Sequence, residues 1–334
     1  MEHIRILDGV RALSILLVLA GHTLPLHLGP LRLNEGTAAA GLSLFFVLSG
    51  FLIVSILERG MTPGAFLVRR LMRIVPALWM FLLVIAVVMQ PPVHVLLANA
   101  LYVSNYVPGA LHNLSMSHLW SLCVEVHFYL AIAFAVAVLG RRGVWLVIPA
   151  AVAITGLRIS EGAALDIATH LRVDEILAGG MLALVWARSG ETLRTALGRP
   201  AIALVATAGV GALWYLSCFP ESGALPYLRP YLAAGLVGVL LAGRPPLLTP
   251  VLESGVAAYV AKISYALYLY HMLMIWGWLN TGSTAERYLL KRPISYALMF
   301  GAAHASTFWW EARWQVLGKR LTRNAMPSMP ARAR

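Results

Sequence analysis

Two ionisable residues lie inside the first long apolar run of the chain, residues 7–28, and their spacing places them on one helix face. Arg11 and His22 are eleven positions apart. This is close to a whole number of helical turns, so both side chains share one helix face, about 16 Å apart. Ionisable residues in a spanning helix normally face a bundle interior or a water-filled cavity, where a histidine can act as a general base. The alternative is that Arg11 anchors the helix at the membrane surface and that His22 only packs.

A second candidate group lies in two later apolar runs. Glu125 is about seven residues inside one of them, and His118 precedes it by seven positions on nearly the same face. Tyr268 and His271 share one polar stripe of another run. Helix geometry predicts similar depths for His22, Glu125 and His271, in the outer half of the membrane. A His–Glu pair is a competent general base; the alternative is that Glu125 only bridges helices through hydrogen bonds.

A basic cluster occupies the segment FLVRRLMRIVPALW at residues 66–79. Arg70 and Arg73 are three positions apart and therefore share a helix face, and Arg69 could extend the patch. Arginine forks suit phosphate groups, so the cluster predicts a site for an anionic donor. The alternative is that these charges only set the topology and touch lipid head groups.

The composition indicates an integral membrane protein built of helices. The chain has 334 residues, of which 60% are hydrophobic and 12% charged, with a net charge of +12; soluble domains usually carry about 25% charged residues. Lysines and arginines cluster at the ends of apolar runs, which is typical of the positive-inside rule and argues against a nucleic-acid partner. The two cysteines, Cys123 and Cys218, predict neither a disulfide framework nor a metal site.

Apolar runs of spanning length predict an all-α transmembrane bundle of about ten spans, with both termini in the cytoplasm. The ten runs lie near residues 10–28, 40–57, 74–90, 118–139, 143–157, 171–187, 200–217, 230–243, 255–279 and 293–310. Residues 93–103 are also apolar but too short to span alone, so they are predicted to be re-entrant or interfacial. Residues 1–312 are expected to form the membrane domain, and residues 313–334 a basic cytoplasmic tail.

Five segments resemble the motifs of the bacterial acyltransferase family 3, in the family's order. They are LDGVRALSILLVLAGH at 7–22, GLSLFFVLSGFLI at 41–53, FLVRRLMRIVPALW at 66–79, HLWSLCVEVHFYL at 118–130 and ISYALYLYHMLM at 263–274. The resemblance implies a multi-pass O-acyltransferase of the bacterial cytoplasmic (inner) membrane. It would move an acyl group, most often acetyl, from cytoplasmic acyl-CoA to a hydroxyl of a cell-surface or lipid-linked carbohydrate, such as a polysaccharide or lipopolysaccharide. Membrane lipids are expected partners, and no metal is expected.

The resemblance also implies roles for individual residues. His22 matches the histidine proposed to act in the transfer, Arg11 its paired basic residue, and Glu125 the acidic residue of the W-S-L-x-x-E motif. Arg70 and Arg73 match the R-x-x-R pattern thought to help the donor. Relatives often read E-E-Q where this chain reads Glu125-Val126-His127, which leaves Glu125 as the only carboxylate of its segment.

The mechanism expected from these matches has His22, oriented by Glu125, remove the proton of the acceptor hydroxyl. The residues expected to bind substrate or support the reaction are Ser49, His118, Trp120, Tyr268 and His271, with Arg69 beside the donor. The alternative function is a multi-pass transporter or flippase of a glycan-related substrate, since such proteins also bury charges in the membrane.

Overall fold

The computed structural model describes residues 4–26, 33–111 and 115–323, and helices dominate these ranges. No β-strand occurs within them. In chain order the helices are α1 Arg5–Thr23, α2 Leu33–Glu58, α3 Pro63–Met89, α4 Val93–Ala100, α5 Trp120–Leu139, α6 Val147–Ser160, α7 Asp174–Leu197, α8 Pro200–Leu216, α9 Leu225–Gly243, α10 Thr249–Leu252, α11 Gly255–Tyr270, α12 Arg292–Ala305 and α13 Ala312–Leu321. The prediction of an all-helical bundle is therefore confirmed for the described residues.

Local sequence signals explain where two of the functional helices begin. Thr62 accepts a hydrogen bond from the backbone N–H of Ala65, and Pro63 occupies the first position of α3. Ser254 caps α11 in the same way through the backbone N–H of Ala257. Both are preferred N-terminal caps, because they satisfy donors that the helix itself leaves unpaired.

Helix length and hydropathy identify five helices in the described residues that could cross a membrane, or six if the bent pair α7–α8 is one span. The axes of α7 and α8 differ by 112°. Several of the other runs form shorter or interrupted helices, including α11 with 16 residues and α12 with 14. The count of ten spans and the side of each terminus stay predictions.

The segment near residue 93 forms the short helix α4, which has eight residues. Eight residues extend about 12 Å, well short of a hydrocarbon core of about 30 Å. The segment therefore does not span as a helix, and its re-entrant or interfacial placement stays a prediction.

Helix α2 lies at the centre of the bundle, where it packs against α1 on one side and α7 on the other. At the α2–α7 crossing, a Cβ on Gly50 would overlap the carbonyl of Ile176, and one on Gly179 would overlap the carbonyl of Val47. Small residues let helix backbones approach closely, which is the usual way that membrane helices associate. This crossing fixes α2, and with it the α1 face that carries the candidate residues.

The chain beyond α12 continues through a π-helical segment, Ser306–Glu311, into α13. Helix α13 packs against α3, where Gly318 lies beside Met72. Residues 324–334 of the expected tail lie outside the described residues, and the boundary at residue 312 stays a prediction.

Candidate active site

Three histidines from different parts of the bundle meet at one end of α1. His22 lies in the last turn of α1, His118 in the 3-10 turn before α5, and His271 directly after α11. The Nε2 atom of His271 is 3.1 Å from Nδ1 of His22. The ring centroids of His118 and His271 are 4.8 Å apart in an edge-to-face arrangement. His22 is exposed, whereas His118 and His271 are buried.

Tyr268 joins α11 to the start of α5 beneath these histidines. Its hydroxyl donates a hydrogen bond of 2.5 Å to the backbone carbonyl of His118 and lies 2.6 Å from the hydroxyl of Ser121. Because a carbonyl only accepts, the Ser121 hydroxyl must donate to Tyr268. Tyr268 thus links the end of α11, next to His271, to the segment that carries His118.

A cavity of about 510 Å³ opens beside the histidines and is called the histidine cavity below. Its polar and aromatic lining comprises His22, Glu35, Ser117, His118, Trp120, Asp166, Arg172 and Tyr268. The guanidinium of Arg172 lies 5.6 Å from the ring centre of Trp120. An aromatic ring among a few converging polar groups is the usual composition of a small-molecule site.

Glu125 lies away from the histidines, in a small cavity of about 30 Å³ that we call the glutamate cavity. The hydroxyl of Ser49 donates a short hydrogen bond to the Glu125 carboxylate. The expected pairing of Glu125 with His22 is therefore wrong as far as contacts go, because His22 hydrogen-bonds His271. The reason is helix geometry: Glu125 lies more than one turn inside α5, whereas His118 precedes this helix by two residues, which places Glu125 about 10 Å from His118 along the axis.

Three arginines line the same small cavity as Glu125. Arg11, Arg70 and Arg73 all line the glutamate cavity, and the guanidinium of Arg70 lies 5.8 Å from the ring centre of Tyr129. Arg70 and Arg73 share a face, as their spacing predicted. The carboxylate of Glu125 thus serves as the counter-charge of the arginine cluster.

A third cavity, of about 440 Å³, lies at the opposite end of α1 from His22, and we call it the arginine cavity. Arg11 and Arg73 line it together with Lys262, whose ammonium group lies 4.1 Å from the ring centre of Phe308. Its acidic residues are Asp8 and Glu311. Three cations against two carboxylates give it a net charge of +1.

Sequence reasoning missed Lys262 and Glu311. Each is a charged residue inside or at the end of a long apolar run, and the same feature had identified Arg11 as a candidate. Arg69, in contrast, was expected beside the donor. Its Nε donates a hydrogen bond of 2.6 Å to the hydroxyl of Thr322, so it fastens the end of α13 to α3. Arg69 is not among the residues that line the described cavities.

The three clustered histidines do not form a metal site. In residues 4–26, 33–111 and 115–323, no group of three or more His, Cys, Asp or Glu side chains is arranged to hold a metal ion.

Comparison with known proteins identifies a family. The family model described as Acyltransferase domain matches residues 4–310. The peptidoglycan O-acetyltransferase OatA of Listeria monocytogenes is 31% identical over 156 residues, which cover 39% of this chain and 23% of OatA. A protein of Staphylococcus aureus (strain COL), provisionally named an O-acetyltransferase, is 31% identical over 152 residues. These residues cover 39% of this chain and 24% of the Staphylococcus aureus protein. The matched stretch thus spans about a quarter of these curated relatives. No solved structure matches the chain significantly.

Proposed function

The chain belongs to this acyltransferase family, and from that premise we propose that it is a membrane O-acetyltransferase. The donor is an acyl-CoA, with acetyl-CoA as the expected form, that enters from the cytoplasm. The acceptor is a hydroxyl of a cell-surface or lipid-linked carbohydrate. We place the enzyme in the bacterial cytoplasmic membrane with both termini inside.

One observation carries this proposal: a single face of α1 connects two cavities at opposite ends of the helix. Arg11 lines the arginine cavity at one end, and His22 lines the histidine cavity at the other. The two residues are eleven positions apart, about 16 Å along the helix. An enzyme that transfers an acyl group from a donor on one side of the membrane to an acceptor on the other needs a cavity for each substrate and a path between the two cavities.

The arginine cavity suits the donor. Arg11, Arg73 and Lys262 supply charged hydrogen-bond donors for the phosphates of CoA, and arginine forks bind phosphate with two parallel hydrogen bonds. The long arm of CoA would then carry its thioester along α1 towards His22.

The glutamate cavity shares Arg11 and Arg73 with the arginine cavity and is narrow. A volume of about 30 Å³ leaves room for only about two or three water molecules, so the thioester arm does not fit in it. If the donor passes this way, side chains that line the glutamate cavity must move.

The histidine cavity suits the acceptor. Trp120 offers an apolar ring surface to a sugar, and Asp166 and Arg172 offer an acceptor and donors for its hydroxyls. In the transfer step, His22 takes the proton of the acceptor hydroxyl as its oxygen attacks the thioester carbonyl carbon. The carbon–sulfur bond breaks, and the CoA thiolate receives the proton from His22, which leaves an ester and free CoA thiol.

The test is transfer from labelled acetyl-CoA in membranes that contain the native glycans. We compare the wild-type protein, His22→Ala and the control His127→Ala, at equal amounts of inserted protein. His127 lies on α5 and hydrogen-bonds Thr169 rather than the histidine cluster. We expect labelled glycan with the wild type and the control, and a loss of about 10²–10⁴-fold with His22→Ala.

Two results would contradict the proposal. Absence of thioester turnover by the wild type, with every native acceptor pool present, would reject the acyltransferase reaction. Full activity of His22→Ala would reject the role of His22 while leaving the reaction itself in place.

A further inference from the structure

We propose that His271 is a positioning residue that holds His22 in the tautomer needed for a general base. The inference rests on the proposed function, because it concerns the proton transfer at His22. Three linked hydrogen-bonding groups carry it: the carbonyl of Tyr268, the ring of His271 and the ring of His22.

The first link follows from the end of α11. The α-helix stops at Tyr270, and the chain continues as a 3-10 turn, His271–Ile275. Carbonyls in the last turn of a helix lack their usual backbone partners. The Tyr268 carbonyl lies 2.6 Å from Nδ1 of His271. Because a carbonyl only accepts hydrogen bonds, Nδ1 of His271 must carry the proton.

The second link concerns Nε2, the other ring nitrogen of His271, and determines whether it donates or accepts a hydrogen bond. The side chain is fully buried, and the rings around it belong to His22, His118 and Tyr268. None of these supplies a negative charge, and burying an unpaired cation is costly, so His271 is neutral. A neutral imidazole with a proton on Nδ1 has a lone pair on Nε2. The Nε2 atom of His271 is therefore an acceptor.

The third link transfers this constraint to His22. Its Nδ1 lies 3.1 Å from Nε2 of His271, so Nδ1 of His22 must be the donor of that hydrogen bond. The proton of neutral His22 then sits on Nδ1, and Nε2 is left with a lone pair. Since His22 is exposed and lines the histidine cavity, this lone pair is available to an acceptor hydroxyl.

The arrangement also serves the protonated state. When Nε2 of His22 accepts the proton, the ring becomes cationic and its hydrogen bond to His271 becomes charge-assisted. His271 thus does for His22 what a carboxylate does in a serine-hydrolase triad, with a neutral acceptor in place of the anion. His118 does not share this role, because within the described residues its ring contacts that of His271 edge-to-face and forms no hydrogen bond with His22 or His271.

The test compares His271→Gln, His271→Asn and His271→Ala. The amide oxygen of glutamine reaches about as far as Nε2 of histidine and can accept from His22. The amide of asparagine overlaps Nδ1 instead, so it can bond the Tyr268 carbonyl but does not reach His22. The glutamine variant should keep kcat within about tenfold of the wild type, and the other two should lose about 10²–10³-fold.

The readouts separate positioning from folding and from the proposed function itself. We expect the KM values for donor and acceptor to stay near the wild-type values in all three variants, with His127→Gln as the control for a histidine outside the cluster. Wild-type kcat in His271→Ala, or a glutamine variant that folds, binds donor and is as inactive as the alanine variant, would overturn the inference. Lack of turnover by the wild type would instead reject the proposed function.

Discussion

A buried ion network beside the histidine cavity makes a quantitative prediction for Glu175→Gln. The Glu175 carboxylate lies 2.5 Å from Nε of Arg229 and 3.4 Å from Nη2 of Arg172. Arg158 and Asp174 form a neighbouring pair at 2.5 Å. All five side chains are at most 2% exposed. The network joins α6, α7 and α9 at the start of α7.

The size of the effect follows from the burial of this network. Removing one partner of a buried ion pair costs about 3–5 kcal/mol, because the other charge is left without compensation. Glu175→Gln removes the carboxylate that compensates the charges of both Arg229 and Arg172. For a chain of 334 residues the entropy of unfolding is about 0.7 kcal/mol per degree, so the midpoint of thermal unfolding should fall by about 4–7 °C.

The assay is thermal unfolding of the purified protein in detergent, followed by tryptophan fluorescence. The matched control is Glu191→Gln, which removes an exposed ion pair with Arg194 on the same helix and should leave the midpoint unchanged. Because Arg172 also lies against Trp120, the variant should raise the KM for the acceptor more than the KM for the donor. A midpoint for Glu175→Gln within 1 °C of the wild type would refute this reasoning.

Two further substitutions test the donor site and the central helix crossing. Arg73→Gln should raise the donor KM about 10–100-fold, because it removes a charged hydrogen bond to phosphate. The control Arg69→Gln should leave the donor KM unchanged, since Arg69 hydrogen-bonds Thr322. Equal effects of the two variants in steady-state kinetics would contradict the assignment. Gly179→Ala should destabilise the bundle by at least about 1–3 kcal/mol, because the added Cβ would overlap α2. The control is Gly209→Ala, whose added Cβ has no neighbouring atom within 4 Å. Equal unfolding midpoints for the two variants would show that α2 and α7 do not meet at Gly179.

Periodicity and composition correctly predicted several features before any packing was known. The long apolar runs predicted a helical membrane protein, since lipid permits few other spanning structures. The three-residue spacing of Arg70 and Arg73 placed them on one face, and both line the glutamate cavity. The eleven-residue spacing of Arg11 and His22 placed both on the lining side of α1. These features depend on one helix at a time, and the period of 3.6 residues determines them.

The tertiary structure alone decided which side chains meet across helices. Sequence reasoning paired His22 with Glu125, whereas packing pairs His22 with His271 and gives Glu125 to Ser49 and the arginines. The tertiary structure also brings Lys262 to the arginine cavity. Periodicity gives the face of a residue on its own helix, but the rotation and the height of neighbouring helices depend on close contacts such as the α2–α7 crossing. A shift of two helical turns, about 11 Å, is enough to exchange one partner for another.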